Sequence, residues 1–415
     1  MSPPIHLVYL LQNLNRGGVQ VGALLQIPRL NKTKYRVEAW TLRCGRGHKE
    51  LAAEFEQQGI TVRETPVESL GDKRGILDLS RRLIRERVCL LNTKSFYANI
   101  VGRVAARIAQ TPAVVANYHH PYDHHWKLKY IACERMVRDC TQTFICVSRW
   151  VKGYLQPLLG LPEERIEVLY NGFDVERYNL DRPKEELRAA LQLPARVPII
   201  VLVARLVAAK DIPTFLRAVP HIARAIPNVC CLVVGDGDQR KALTALAAEL
   251  RLGNAVQFLG SRGDVPEILN AVDCLVLPSL TEGFGRVIVE AFASRTPVVA
   301  TPAGGVTEIV EDGKNGLLVP FSDPERLAQA VVRTLSSPEE TRRRCDQAFR
   351  DVRQFDLKTW VEKTEAIFDR AIRNRRGEIE AYLDAPVPSS FSLSAGYYRL
   401  QFGFHLEVLR RRMFG

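Results

Sequence analysis

Short apolar runs alternate with amphipathic stretches through the first 175 residues. Ile5 to Leu11 leads into a helical stretch from about Val19, Tyr35 to Leu42 into one near Lys49, and Val88 to Leu91 into one near Tyr97. The alternation continues with Ala113 to Tyr118, a helix around Trp126 to Arg138, then Thr143 to Val147 and Ile166 to Leu169. Strand-like runs separated by helical ones predict parallel strands joined by crossover helices. From about Asp174 to Arg196 the chain turns charged, loses strand signal and is punctuated by Pro183, Pro194 and Pro198, as a linker is. A second series follows with Ile199 to Ala204, Val229 to Val234, Val256 to Leu259, Cys274 to Leu277 and Val298 to Thr301. The expected fold class is therefore α/β, with two α/β domains in tandem. Three helical segments close the pattern, near Pro324 to Leu335, Pro338 to Phe349 and Asp356 to Ile372, the last long and amphipathic. The expected division is 1–178, 179–354, a helix over 355–375, and a basic, aromatic tail over 376–415 that is weakly packed or bound to a partner.

The length of 415 residues suits two cores rather than one, and hydrophobic and charged fractions of 46% and 25% are those of an ordinary globular protein. No apolar run approaches the length of a membrane-spanning helix and the start lacks a signal-peptide layout, so a cytoplasmic location is expected. Nine cysteines form an odd set without a C-x-x-C pair, and they read as buried reduced thiols. The net charge of +12 favours an anionic partner, whether nucleic acid, lipid headgroups or phosphorylated substrates. Basic residues concentrate in Arg81–Arg87 and Arg410–Arg412, where exposed helix faces account for them equally well.

Three segments carry candidate chemistry. Gly17-Gly18 stands at the turn from the first strand into its helix, where glycine lets backbone approach a ligand and free N–H groups favour a phosphate. A tight turn without a ligand explains such a pair as well. Arg205 and Lys210 follow the first strand of the second series, where cations neutralise a pyrophosphate or merely flank a loop. The sharpest segment is Thr281 to Ala291: Glu282 sits at the loop and Glu290 eight positions on along the following helix, with Gly283 and Gly285 between. Carboxylates accept hydrogen bonds from sugar hydroxyls, and loop amides over Gly283, Phe284, Gly285, Arg286 and Val287 can meet phosphates.

At these residues the chain resembles the retaining GT-B glycosyltransferases of family 4. Glu282 to Glu290 is similar to that family's E-x7-E motif, and Arg205 with Lys210 to its R-x4-K pair. Further landmarks fall in family order, among them Gly17 to Gln20, Tyr170 to Asp174, Val234 to Gly237 and Asp312 to Val319, so that the resemblance covers roughly residues 5 to 370. It implies a GT-B fold, two Rossmann-like domains facing across a cleft that closes, with the 355–375 helix crossing back to the first. It implies that Arg205 and Lys210 hold and stabilise the departing diphosphate, Glu282 the sugar hydroxyls, Glu290 the nucleotide ribose, and the Gly283–Val287 amides sugar and phosphates. His119 occupies the place of the family's N-domain histidine, with His120 leaving the register open by one. The reaction it implies is retaining transfer from a nucleotide-diphosphate sugar, UDP most commonly. No metal and no other cofactor are expected, since fixed cations substitute for a metal. Ala204 stands where glycine is common, and Ala208-Ala209 replaces the usual Pro-Glu.

Two metal-like patterns are set aside. Asp236-Gly237-Asp238 looks like a D-x-D but falls inside a family landmark, and Pro121 interrupts the cluster His119, His120, His124, His125. A nucleotide-sugar epimerase shares the fold but not the four charged residues; an idle scaffold would not need them; nucleic-acid binding lacks a reader motif, so nucleic acid is not an expected partner. The acceptor stays open between a small molecule and a glycan or lipid-linked, lipopolysaccharide-type acceptor met peripherally at an anionic membrane surface, on the inner face.

Overall fold

The computed structural model describes residues 3–43, 50–121 and 127–386, with side chains of 127–130 left aside. Its first sheet comprises β1 (Ile5–Leu11), β2 (Tyr35–Thr41), β3 (Thr61–Glu64), β4 (Leu90–Lys94), β5 (Ala113–Tyr118), β6 (Thr143–Cys146) and β7 (Ile166–Val168), in the order β3-β2-β1-β4-β5-β6-β7. The second comprises β8 (Ile199–Val203), β9 (Cys230–Val234), β10 (Val256–Gly260), β11 (Cys274–Leu277), β12 (Val298–Ala300) and β13 (Leu317–Leu318), in the order β10-β9-β8-β11-β12-β13. Every recorded pairing is parallel. Each sheet is covered on both faces, which is why its strands are continuous apolar runs rather than alternating ones. Strand order reverses between β1 and β4 and between β8 and β11, so loops diverge there and open a crevice at the strands' carboxyl ends. The protein is thus α/β, with two Rossmann-like units of the GT-B kind.

The chain passes between the units at two adjacent points, Phe173 and Phe355, where Phe173 N–H donates to the Phe355 carbonyl at 2.8 Å. The helix Leu357–Arg373 then packs on the first unit, with Trp360, Val361 and Phe368 buried against Leu7 and Tyr9. Asp356 caps it by accepting from Thr359 N–H at 3.0 Å. Asp369, facing out of that helix, binds Lys34 at 2.8 Å and also Tyr35, tying it to β2.

Two sequence expectations change in detail. The stretch read as linker holds a helix, Lys184–Ala190, that belongs to the second unit. Its one large buried apolar residue is Leu187, and its anchor is Arg188, buried and bound to Asp273 at 2.6 Å, so hydrophobic periodicity could not show it. Strand β3 and the helix Lys73–Arg85 fill the interval before β4, of which only the basic helix face at Arg81–Arg87 was expected. In that helix the basic residues from Arg81 alternate with buried Leu79 and Leu83, so it is amphipathic and docks on the sheet. Among the described cysteines, Cys89, Cys146, Cys230, Cys231, Cys274 and Cys345 are buried free thiols and Cys133 and Cys140 are half-buried; Cys44 and the tail beyond 386 lie outside the described residues. No described helix is long and apolar enough to cross a membrane.

Candidate active site

The second unit builds its half of the site from three loops at the carboxyl ends of β8, β9 and β11. Ala204 continues the β8–β9 ladder, its N–H donating to the Val234 carbonyl at 3.0 Å, and Leu206 N–H reaches the Asp236 carbonyl at 2.9 Å. This brings the two loops into backbone contact. Gly235 makes it possible: its φ is +127° and a Cβ there would lie 1.9 Å from the Ala204 carbonyl oxygen. Arg205 is left exposed at the cavity, without an ion-pair partner among the described residues.

Lys210 ends a short 3-10 turn and forms an ion pair with Glu282. The same Glu282 oxygen accepts from Ser279 Oγ at 2.8 Å, and Leu280 N–H bonds the Ala209 carbonyl at 2.9 Å, so the Lys210 and Glu282 loops hold each other in place. Glu282 is 7% exposed; a carboxylate that far from water needs both partners. Beyond it, Gly285 (φ +92°) starts the helix Arg286–Ala293 without a side-chain cap, which leaves the first N–H groups free for a ligand. Glu290 lies one turn along, its Oε1 3.7 Å from Arg286 Nη2. Burial raises its carboxyl above the ordinary value, against the lowering pull of Arg286, a hydrogen bond from Tyr178, and Arg177. The Phe284 side chain turns inward instead, into an aromatic nest with Tyr170, Phe173 and Phe355 at centroid distances of 5.7, 6.1 and 5.3 Å.

The first unit meets this half directly. Gly283 lies so close to the backbone of His119 that a Cβ would fall 1.8 Å from the His119 carbonyl oxygen, and a Cβ on Gly18 would lie 2.7 Å from Arg286 Cδ. Gly17 is the N-cap of the helix Gly18–Gln26 and supplies no side chain to cover its N–H groups. His119 follows β5 with its Nε2 buried and unpartnered. Burial first, then Lys94 and Arg286, bring its pKa down to about 3, so the imidazole is neutral at any ordinary pH. His120 is exposed, with Nδ1 2.9 Å from the Pro121 carbonyl oxygen and its ring edge-on to Trp150. Of the two, His119 is the one with a ring nitrogen held free inside the protein.

All twelve residues singled out from the sequence line one cavity of about 890 Å³ between the units. The sequence reading did not foresee that Lys210 pairs with Glu282 rather than standing beside Arg205 as a free cation. It also missed Lys94, whose signal was the polar end Asn92-Thr93-Lys94 of a buried strand. Asp236 accepts from Gly237 N–H at 2.8 Å, an internal use for the first acid of the D-x-D pattern, while His124 and His125 lie outside the described residues. The described residues contain no group of three acidic, histidine or cysteine side chains gathered as a metal site.

Comparison with known proteins gives the same two halves. Residues 183–352 match the family model "Glycosyl transferases group 1", and residues 16–177 match "Glycosyltransferase Family 4". A UDP-Gal:alpha-D-GlcNAc-diphosphoundecaprenol alpha-1,3-galactosyltransferase of Escherichia coli is 30% identical over 271 residues, 63% of this chain and 70% of that protein. A D-inositol 3-phosphate glycosyltransferase of Corynebacterium urealyticum is 33% identical over 239 residues, 55% of this chain and 56% of that one. The crystal structure of Anabaena HepE in complex with UDP and glucose superimposes with a TM-score of 0.79 at 25% identity, over 88% of this chain and all of that one. The chain belongs to the family 4, group 1 glycosyltransferases, GT-B enzymes that use nucleotide sugars.

Proposed function

We propose that the protein transfers a sugar from a UDP-sugar to an acceptor hydroxyl with retention of anomeric configuration, without a metal. The observation that carries this reading is the convergence of Arg205, Lys210, Glu282, Glu290 and the free N–H groups of the Gly283–Val287 loop on one cavity, closed from the other side by Gly17, Gly18 and His119. In the reaction the bond between the anomeric carbon and the diphosphate oxygen breaks as the acceptor oxygen bonds to that carbon on the same face. The acceptor proton passes to the departing phosphate oxygen, so no side-chain base is required. Arg205 and Lys210 stabilise the charge that develops on the diphosphate. The structure fits that role because Lys210 is held by Glu282 while Arg205 is not neutralised by a described carboxylate. Glu282 then orients sugar hydroxyls, Glu290 the ribose, and neutral His119 contributes a ring nitrogen to the sugar.

UDP is favoured because HepE is bound to UDP and glucose. A glycan or lipid-linked acceptor on the inner membrane face is favoured because the E. coli relative carries a diphosphoundecaprenol acceptor in its name and the chain carries a net charge of +12. Thermal shift with UDP-, GDP- and ADP-sugars in the presence of EDTA tests the donor. Stabilisation by the UDP-sugar, lost in Lys210→Ala and Glu290→Ala, is the expected result; dependence on a divalent ion, or an inverted product by NMR, overturns the corresponding part. Flotation with anionic liposomes at low salt tests the membrane: absence of binding sinks that part alone.

A further inference from the structure

Lys94 closes β4 beside the reversal of strand order between β1 and β4, where a doubly wound sheet opens a ligand crevice. It is 3% exposed. Its Nζ lies 5.3 Å from the centroid of the Tyr9 ring, 5.8 Å from that of Trp360, and 3.4 Å from Asn117 Oδ1, and no carboxylate pairs with it among the described residues. Two rings and one amide are thin compensation for a buried ammonium. Arg286 arrives at the same place from the other unit. Its guanidinium carbon is 4.4 Å from the centre of the Phe173 ring, and its Nη1 is buried without a hydrogen-bond partner. That Nη1 lies 3.8 Å from where a Cβ of Gly22 would be, a point the edge of Trp360 reaches at 3.5 Å. Lys94 thus lies over the Trp360 indole while Arg286 runs along the uncapped start of the helix Gly18–Gln26 toward Gly22, which that indole also reaches, and His119 feels the field of both cations.

We infer that Lys94 and Arg286 form a second phosphate-recognising pair on the first unit's side of the cleft, Arg286 making the contact and Lys94 supplying charge from beneath Asn117 and His119. This rests on the donor reading only in assigning Arg205 and Lys210 to the donor diphosphate. A guanidinium with a free N–H, a helix start and a second cation suit a phosphate oxygen better than a sugar hydroxyl. The phosphate comes either from the donor diphosphate as the cleft closes or from a phosphorylated acceptor. Lys94 acts through its charge and is a positioning residue. Burial brings its pKa down to about 7, so an arriving anion restores its proton, and phosphate binding near neutrality is accompanied by proton uptake.

Isothermal titration calorimetry in buffers of different ionisation enthalpy reads both affinity and protons. The full-length protein is titrated near neutral pH with UDP, with GDP, and separately with inorganic phosphate in the presence and absence of saturating UDP. The expected result is phosphate binding that Arg286→Gln weakens at least about tenfold and Arg286→Lys partly restores, with a proton uptake larger in the wild type than in Lys94→Met. Phosphate binding that persists on the UDP-loaded protein assigns the pair to the acceptor; competition with UDP assigns it to the donor. Unchanged phosphate affinity in Arg286→Gln together with unchanged proton uptake in Lys94→Met overturns the pair. The Arg286 arm stands by itself should Lys94→Met fail to fold. Failure of UDP and GDP to bind the wild type, with phosphate still bound through Arg286, would sink the donor reading and leave the pair standing.

Discussion

The two faces of the cleft are built by opposite electrostatic strategies. On the face made by β8, β9 and β11 the carboxylates are paired, Glu282 with Lys210 and Ser279 and Glu290 with Arg286 and Tyr178, on loops shaped by Gly235 and Gly285, and Arg205 is left open to the cavity. On the face made by β1, β4 and β5, buried Lys94 and half-buried His119, its Nε2 enclosed, have no acidic partner among the described residues, and both are driven toward their neutral forms. A paired face is organised before its ligand arrives, which is what stabilising a departing diphosphate demands, because no reorganisation is then required during the reaction. An unpaired buried face gains its counter-charge only when the substrate enters, so its protonation follows binding.

The largest expected effect breaks the paired face. On the proposed mechanism Lys210→Ala removes a cation from the diphosphate, and in the structure it leaves Glu282 buried with Ser279 alone, so kcat/KM should fall by about 10²–10³. Steady-state kinetics checks it, and a loss below about fivefold would show that Arg205 carries the diphosphate without help.

Next comes the contact between the faces. Gly283→Ala puts a methyl 1.8 Å from the His119 carbonyl oxygen, a collision of Cβ with backbone that no rotamer relieves. The units should then fail to close, lowering kcat by about ten- to a hundredfold while nucleotide still binds the second unit. Gly263→Ala, in the same cavity wall with nothing within 4 Å of the new atom, should be near neutral. Small-angle scattering with UDP separates failed closure from simple loss of binding.

This asymmetry also governs what could be read in advance. Glu282, Glu290, Arg205 and Lys210 were legible because each follows a strand end at a spacing fixed by one loop or one helical turn, and glycines mark the loops. Lys94 was not, because a lysine at the end of a strand is ordinarily exposed; its burial comes from Trp360, more than 260 positions away on the helix that crosses back. The aromatic nest of Tyr170, Phe173, Phe284 and Phe355 was hidden for the same reason, since it assembles where two chain crossings meet a loop. The helix Lys184–Ala190 escaped because an ion pair, rather than an apolar stripe, anchors it.

A smaller effect sharpens the comparison at Glu290. Its raised carboxyl pKa means that the folded protein holds the proton more tightly than the unfolded chain, so its ionisation at neutral pH opposes folding. Glu290→Gln keeps the shape without the charge. Nucleotide affinity should drop about tenfold while the unliganded protein melts no lower than the wild type, a trade expected where a charge serves binding rather than stability. A clear loss of melting temperature would instead make Glu290 a structural partner of Arg286.

The finest test is the stability of the unpaired face against pH. The Lys94 pKa of about 7 lies below the ordinary lysine value of 10.5, so between the two the unfolded chain holds a proton that the folded protein lacks. By that sign, stability rises with pH across the interval, and below it the buried ammonium is a standing cost. Lys94→Met removes the group and fills the space between Tyr9 and Trp360 with a side chain of similar length. Its urea midpoint should exceed that of the wild type near pH 7, and the difference should shrink toward pH 9, by an amount on the order of 1–2 kcal/mol after allowing for water reaching the site. A variant less stable than the wild type at every pH would mean that Lys94 holds Tyr9, Asn117 and Trp360 together by contact, and the two faces would then differ in burial but not in strategy.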